Sequence, residues 1–252
     1  MIDKLFDKAE LKIFDNRKEM GEAAASDAEK VIKLLLSEKP MISCIFAAAP
    51  SQNDFLASLL TKDIEWSRIN AYHMDEYAGL GICEKGSFTE FLTDSIFSKM
   101  PFASVNLING GASDENAEAL RYSDLLNSID VDITFMGIGE NGHIAFNDPG
   151  VADFNDSKTV KLVELDDVCR MQQVHDGCFP DFESVPKRAF TVTIPKLVSA
   201  KHIFCIVPTE KKHEALKAAM LGPIDESCPA SILRTRNNSI IYADRACAGN
   251  LA

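Results

Sequence analysis

Long apolar runs are missing from this sequence. The longest, "MISCIFAAAP" at residues 41–50, falls far short of the ~20 residues a membrane-spanning helix needs. The opening "MIDKLFDKAELKIF" mixes both signs of charge and has no signal-peptide apolar core, so a cytoplasmic protein is expected. Positive charge is scarce too. The 26 Lys and Arg face 38 Asp and Glu, a formal net charge of −12. An acidic surface repels a phosphate backbone and an anionic bilayer, which argues against nucleic-acid and membrane partners. An anionic small molecule would need local cations. The 7 cysteines are odd in number and show no C-x-x-C spacing, so reduced, mostly buried thiols are expected. No second His stands at metal-ligand spacing from His73. Neither an internal repeat nor a Pro/Gly/Ser-rich linker divides residues 1–252, which read as one domain.

What is present alternates. "KIF" reads as a first strand, and "NRKEMGEAAASDAEKVIKLLLSE" as a helix stopped by Pro40. Strands are expected at "MISCIFAA", "INAYHM", "VDITFMGI", "AFTVTIP", "KHIFCIVP" and "SIIYAD". Helices are expected around "NDFLASLLTK", "FTEFLTDSIFSKM", "DENAEALRYSDLLNSI" and "EKKHEALKAAML", the last closed by Gly222. Continuously apolar strands alternating with helices predict an α/β fold: a Rossmann-like, open, mainly parallel sheet with helices on both faces. Residues 147–189 lack clean periodicity and are rich in Pro and polar residues. They are a candidate lid, centred on 150–189.

The stretch "FMGIGENGHIAFNDPG", residues 135–150, spells G-x-G-x-x-G with Gly137, Gly139 and Gly142 after a strand. That is the dinucleotide fingerprint, but such a site needs a long helix after the third glycine to hold the pyrophosphate. Pro149 comes only seven residues on. No strand ending in an acidic residue follows at the required distance. The alternative is a tight turn at the carboxyl end of a strand that presents His143, with Asp148 to fix its tautomer and raise its basicity. A His that merely caps the turn is the plainer competitor.

A second strand ends in charge at "NAYHMDEYAGL", residues 70–80. Asp75 and Glu76 are adjacent, so on an extended chain they point to opposite faces. One of them can enter a site while the other anchors the loop. A helix or turn cap is the simpler role for Asp75. His73 reads as a strand residue.

Taken together, "HMDEYAGL" and "GIGENGHIAFNDPG" resemble the signature segments of the glucosamine-6-phosphate deaminase (isomerase) family, related to the 6-phosphogluconolactonases. "VNLING", "VPKRAFTVTIPKL" and "CPASILRTRNNSIIYADRAC" resemble it as well, so the likeness runs from about residue 40 to about 247. The resemblance implies that Asp75 moves a proton between C2 and C1 of an open-chain amino sugar. It implies that His143 opens the pyranose ring, paired with Asp148 where the family usually has Glu. Asn141 stands where the family has Asp or Asn and completes the expected catalytic set. The expected substrate contacts are Glu76, Ser51, Gln52, Asn53, Gly142, Lys212 and His175. No metal and no organic cofactor is implied.

Three departures from the family pattern stand out. The phosphate loop, roughly Thr-Gly-x-Thr-Pro in the family, reads "AAAPSQND" here and leaves Ser51, Gln52 and Asn53 as donors. Where the family has a lid Arg, an ungapped alignment places His175, with Arg170 five residues earlier. Lys212 matches the family's phosphate Lys, with Lys211 beside it. Lys161 is the lone basic residue in the segment that would read an acetylated allosteric effector.

The reaction expected is conversion of glucosamine 6-phosphate to fructose 6-phosphate and ammonia. The alternatives are a sugar-phosphate-binding regulator on the same scaffold and a lactone hydrolase that uses His143 alone. A sugar phosphate is the expected partner, and a homo-oligomer is left open.

Overall fold

The computed structural model describes residues 1–175 and 177–251. It opens with a hairpin, Ile2–Phe6 (β1) and Ala9–Phe14 (β2), paired antiparallel. The Asn16 side chain accepts from the Glu19 amide and so caps Arg17–Glu38 (α1), which ends just before Pro40. Ile42–Phe46 (β3) follows, then Asn53–Leu59 (α2), Ile69–His73 (β4), Asp75–Tyr77 (β5) and Phe88–Leu92 (α3). Helix α3 runs into a π-helical turn at Thr93–Phe97. Next come Ser104–Asn106 (β6), Glu115–Asn127 (α4), Ile133–Met136 (β7), Val160–Glu164 (β8) and Asp167–His175 (α5). The chain closes with Arg188–Val192 (β9), Ile194–Val198 (α6), His202–Val207 (β10), His213–Leu221 (α7), Ser239–Asp244 (β11) and Arg245–Ala248 (α8).

Eight strands form one sheet in the order β1-β2-β11-β10-β7-β3-β4-β6, and every pair but β1–β2 is parallel. Successive strand residues face opposite layers. Ile45 packs with Tyr122 of α4, Leu197 of α6 and Leu216 of α7 in one core. Its neighbours Cys44 and Phe46 pack with Ala24 and Ile32 of α1 and Phe55 of α2 in the other. Helices therefore cover both faces, as the apolar strands predict.

From β3 the chain adds β4 and β6 on one side, then crosses back to place β7, β10 and β11 on the other. The loops after β3 and β7 part at that reversal, the place where open α/β sheets hold ligands. The Ala47 amide bonds the Phe135 carbonyl at 2.9 Å and keeps the two loop origins together.

Several sequence expectations need correction. "AFTVTIP" is not a strand of the main sheet. As β9 it is the centre of a separate antiparallel sheet, β5-β9-β8. The "INAYHM" strand stops at His73, and the chain changes sheets at Met74, whose carbonyl accepts from Val192 at 2.7 Å. Strands β1, β6 and β8 were not expected. Two are short edge strands of the main sheet, and β8 edges the small one, so none carries the apolar run of a central strand. The lid segment holds β8 and α5. Among the described cysteines Cys83 is exposed, at φ 57°, whereas Cys44, Cys205 and Cys247 are buried. No described helix is long and apolar enough to cross a membrane.

Candidate active site

His73 ends β4 with its ring fully buried. Its Nε2 accepts the Ile108 amide at 2.8 Å, so the proton sits on Nδ1, which donates to the Asp75 carbonyl at 2.9 Å. Burial lowers its pKa to about 4 and keeps the ring neutral. His73 therefore fixes the backbone where the chain turns into β5, as a structural residue.

Asp75 then projects into the reversal point. It is 7% exposed, and its buried Oδ1 has no hydrogen-bond partner among the described residues. Burial, then the charge of Glu76, pushes its carboxyl well above the ordinary range. A carboxyl so raised can take and return a proton near neutral pH.

Glu76 points the other way. Its carboxylate accepts from the backbone amides of Tyr77 (2.8 Å), Phe88 (3.0 Å) and Thr89 (2.8 Å), tying the start of α3 to β5. Burial raises its pKa to about 7 against those bonds. It was expected as a substrate contact, and the structure places it outside the residues that line the cavity. Glu76→Gln should leave the Thr89 amide facing an NH₂ group, costing about 1–3 kcal/mol of stability. Chemical denaturation reads that loss, and turnover should fall far less than in an Asp75 variant.

The three glycines after β7 solve a packing problem. A Cβ on Gly139 would lie 2.2 Å from the His143 ring, so only glycine lets the ring fold back over the turn. Gly142 has φ +87° and a Cβ there would meet Cys228 Sγ at 2.8 Å. No helix follows, which removes the dinucleotide reading.

His143 is 8% exposed, and its Nδ1 lies 2.8 Å from Asp148 Oδ1. Burial pushes the Asp148 carboxyl up, but its contacts with His143 and Asn141 outweigh that and leave it below the usual range. Asn141 stands behind the pair. Its amide donates to Asp148 Oδ1 at 2.9 Å and its oxygen accepts the His143 amide at 3.1 Å. Asn147, which was not expected to matter, donates to the carbonyls of Ile144 and Val192 and clamps this loop to β9.

Asp75 and His143 open onto one cavity of about 60 Å³ that is half open to solvent. Ser51 and Gln52 line it from the loop after β3, and Lys212 from the turn before α7. Gln172 and Gln173 line it from α5, a pair the sequence reading missed. Glu140 donates its amide to Gln172 Oε1 at 2.8 Å, so the lid helix is fastened to the His143 loop.

Other expected contacts lie elsewhere. Asn53 is exposed at the start of α2. Asn141 and Gly142 are not among the residues that line the cavity. The His175 side chain is half exposed, 3.6 Å from the Glu140 carboxylate, and not in the cavity. Arg170 is spent on the carbonyls of Phe182 and Val185, Lys211 on the His175 carbonyl, and Lys161 on Val151 and Asp156.

His143, Asp148 and Cys169 offer donor atoms within 4.8 Å of one another, a spacing open to a metal ion. Metals bind the thiolate. Burial first, then the charges of Asp148 and Asp166, pushes the Cys169 thiol far up while no metal is bound.

Residues 15–242 match the family of glucosamine-6-phosphate isomerases/6-phosphogluconolactonase. That match begins earlier than the motifs alone suggested. The chain is 31% identical over 229 residues to a glucosamine-6-phosphate deaminase of Listeria monocytogenes, covering 91% of this chain and 96% of the relative. It is 34% identical over 227 residues to one from Bacillus thuringiensis, covering 90% and 83%. A solved monomeric glucosamine-6-phosphate deaminase superposes with a TM-score of 0.87 at 30% identity, covering 94% of this chain and 98% of that one. The 6-phosphogluconolactonase of Thermotoga maritima, at 15% identity, a TM-score of 0.75 and coverage of 94% and 100%, shares the fold.

Proposed function

The chain belongs to the glucosamine-6-phosphate isomerase/6-phosphogluconolactonase family, and on that premise we propose that it is an enzyme converting glucosamine 6-phosphate and water to fructose 6-phosphate and ammonia. This is a step of amino-sugar catabolism in the cytoplasm. Galactosamine 6-phosphate is the second candidate. One observation carries the reading: a buried carboxyl with an oxygen left unpartnered, Asp75, shares a cavity with a His held by a carboxylate, His143–Asp148.

Ring opening moves a proton to the pyranose oxygen. His143 relays it, and Asp148 stabilises the imidazolium that forms in passing. Asp75 then takes the proton from C2 and returns it at C1 of the planar enolamine. One base serves both carbons because they lie on one side of it. Water adds to the resulting C2 imine, and ammonia leaves. Lys212 attracts the phosphate, while Ser51, Gln52, Gln172 and Gln173 supply polar contacts. His143 and Asp148 alone would serve a lactone hydrolase. The raised Asp75 carboxyl favours the deaminase, since hydrolysis has no need of a C2–C1 base.

The deciding assay offers the purified protein glucosamine 6-phosphate and 6-phosphogluconolactone. Ammonia from the first is expected. Lactone hydrolysis without ammonia would refute the reading. Lys212→Ala should raise KM by about ten- to hundredfold, the worth of a lost charge-assisted contact, and change kcat less, because the phosphate is remote from the reacting carbons. A silent Lys212→Ala would move the phosphate contact elsewhere.

A further inference from the structure

Helix α5 turns one face to the loop that carries His143. Cys169, Gln172 and His175 are spaced three apart and share a side of the helix. All three reach that loop. Gln172 bonds the Glu140 amide, and His175 lies beside the Glu140 carboxylate. Cys169 Sγ lies within 4.8 Å of both the Asp148 carboxylate and the His143 ring nitrogen.

Asp148 is 1% exposed. Its Oδ1 faces His143 and Asn141. Its buried Oδ2 has no hydrogen-bond partner among the described residues. The Cys169 thiol is the neighbouring group within 4.8 Å of this carboxylate that could turn a proton toward that open oxygen.

We propose that Cys169 is a positioning residue for the reaction above: its thiol serves the second carboxylate oxygen of Asp148 and, through Asp148, holds His143 in its working orientation. The inference rests on the deaminase reading of the site. Because Cys169 rides on α5, seating the lid helix and readying His143 become one event. Burial and the neighbouring charges of Asp148, Asp166 and Asp75 keep the thiol protonated, so it acts as a donor. Around Asp148 the groups that matter are His143, Asn141 and Cys169, with Glu140 and His175 on the flank. Arg170, next along the helix, turns away to Phe182 and Val185.

The test compares Cys169→Ala with Cys169→Ser. Both remove the sulfur, but serine keeps a hydroxyl donor. Without the donor the pair holds its proton to higher pH. The acid limb of the kcat profile should then move up by about 0.5–1 pH unit in Cys169→Ala, the worth of one modest hydrogen bond. Cys169→Ser should return it toward the parent. A structural role alone would lower the melting temperature of both variants and leave the profile in place. An unmoved profile in Cys169→Ala, or equal shifts in both variants, would overturn the proposal. The His143 imidazole titration followed by NMR should show the same shift without turnover. If the parent protein releases no ammonia, the functional reading falls, while the NMR comparison still decides the role of Cys169.

Discussion

Asp75→Asn should lower ammonia release by about 10²–10⁴-fold, the usual contribution of a positioned acid–base group, while sugar-phosphate binding stays within about tenfold. The substitution keeps the shape of the side chain and removes its basicity. The same change should stabilise the fold. Burial and the charge of Glu76 raise the Asp75 carboxyl. An acid raised on folding adds stability below its unfolded pKa of about 4 and loses it as pH climbs through the folded value. Above that unfolded pKa the raised Asp75 carboxyl therefore costs stability, and the neutral amide removes that cost. Each kcal/mol recovered lifts the melting temperature by about 2–4 °C in a chain of this size. A variant that is inactive yet more heat-resistant marks a residue kept for chemistry. An inactive and less stable variant would mark a structural one.

Asp148→Asn should also cut kcat by about 10²–10⁴-fold, as the equivalent exchange does where a carboxylate orients a catalytic His. The amide cannot stabilise an imidazolium at 2.8 Å. Asp148→Glu keeps the charge and should retain far more turnover. Its extra methylene must enter closed space beside Cys169, at about 1–3 kcal/mol of stability. The pH dependence has a definite sign. The Asp148 carboxyl lies below its ordinary value, so its contribution to stability is present above about pH 4 and fades as pH falls through the lower folded value. The stability gap between parent and Asp148→Asn should narrow below pH 4 in denaturation series. A gap that widens with acid would show that the carboxylate is not held by His143.

Much of this arrangement is legible in the sequence because it lies in unbroken strings. "NAYHMDEY" carries the candidate base and its anchor, and the opposite faces of adjacent strand residues already separate Asp75 from Glu76. "GIGENGHIAFNDPG" carries His143, Asp148 and the glycine that admits the imidazole. Contacts set by how a helix docks are not legible in this way. An ungapped alignment aims His175 at the phosphate, yet the structure puts Gln173 in the cavity. Two residues on a helix are about 200° apart, so an offset of two turns an inward position into a half-exposed one. The small antiparallel sheet was hidden because β5 follows β4 after a single residue and reads as its continuation. The Cys169–Asp148 contact joins residues 21 positions apart in the chain, and no local pattern announces it.

The central claim is that Asp75 carries one proton from C2 to C1. Turnover of glucosamine 6-phosphate in deuterated water, with the fructose 6-phosphate product read by NMR, tests it most directly. The account predicts ammonia in step with product, hydrogen delivered to one face of C1 only, as protium carried from C2 or as deuterium where the proton on Asp75 has exchanged with solvent, and loss of both ammonia and C1 delivery in Asp75→Asn. Product with undiminished C1 exchange in Asp75→Asn would contradict it.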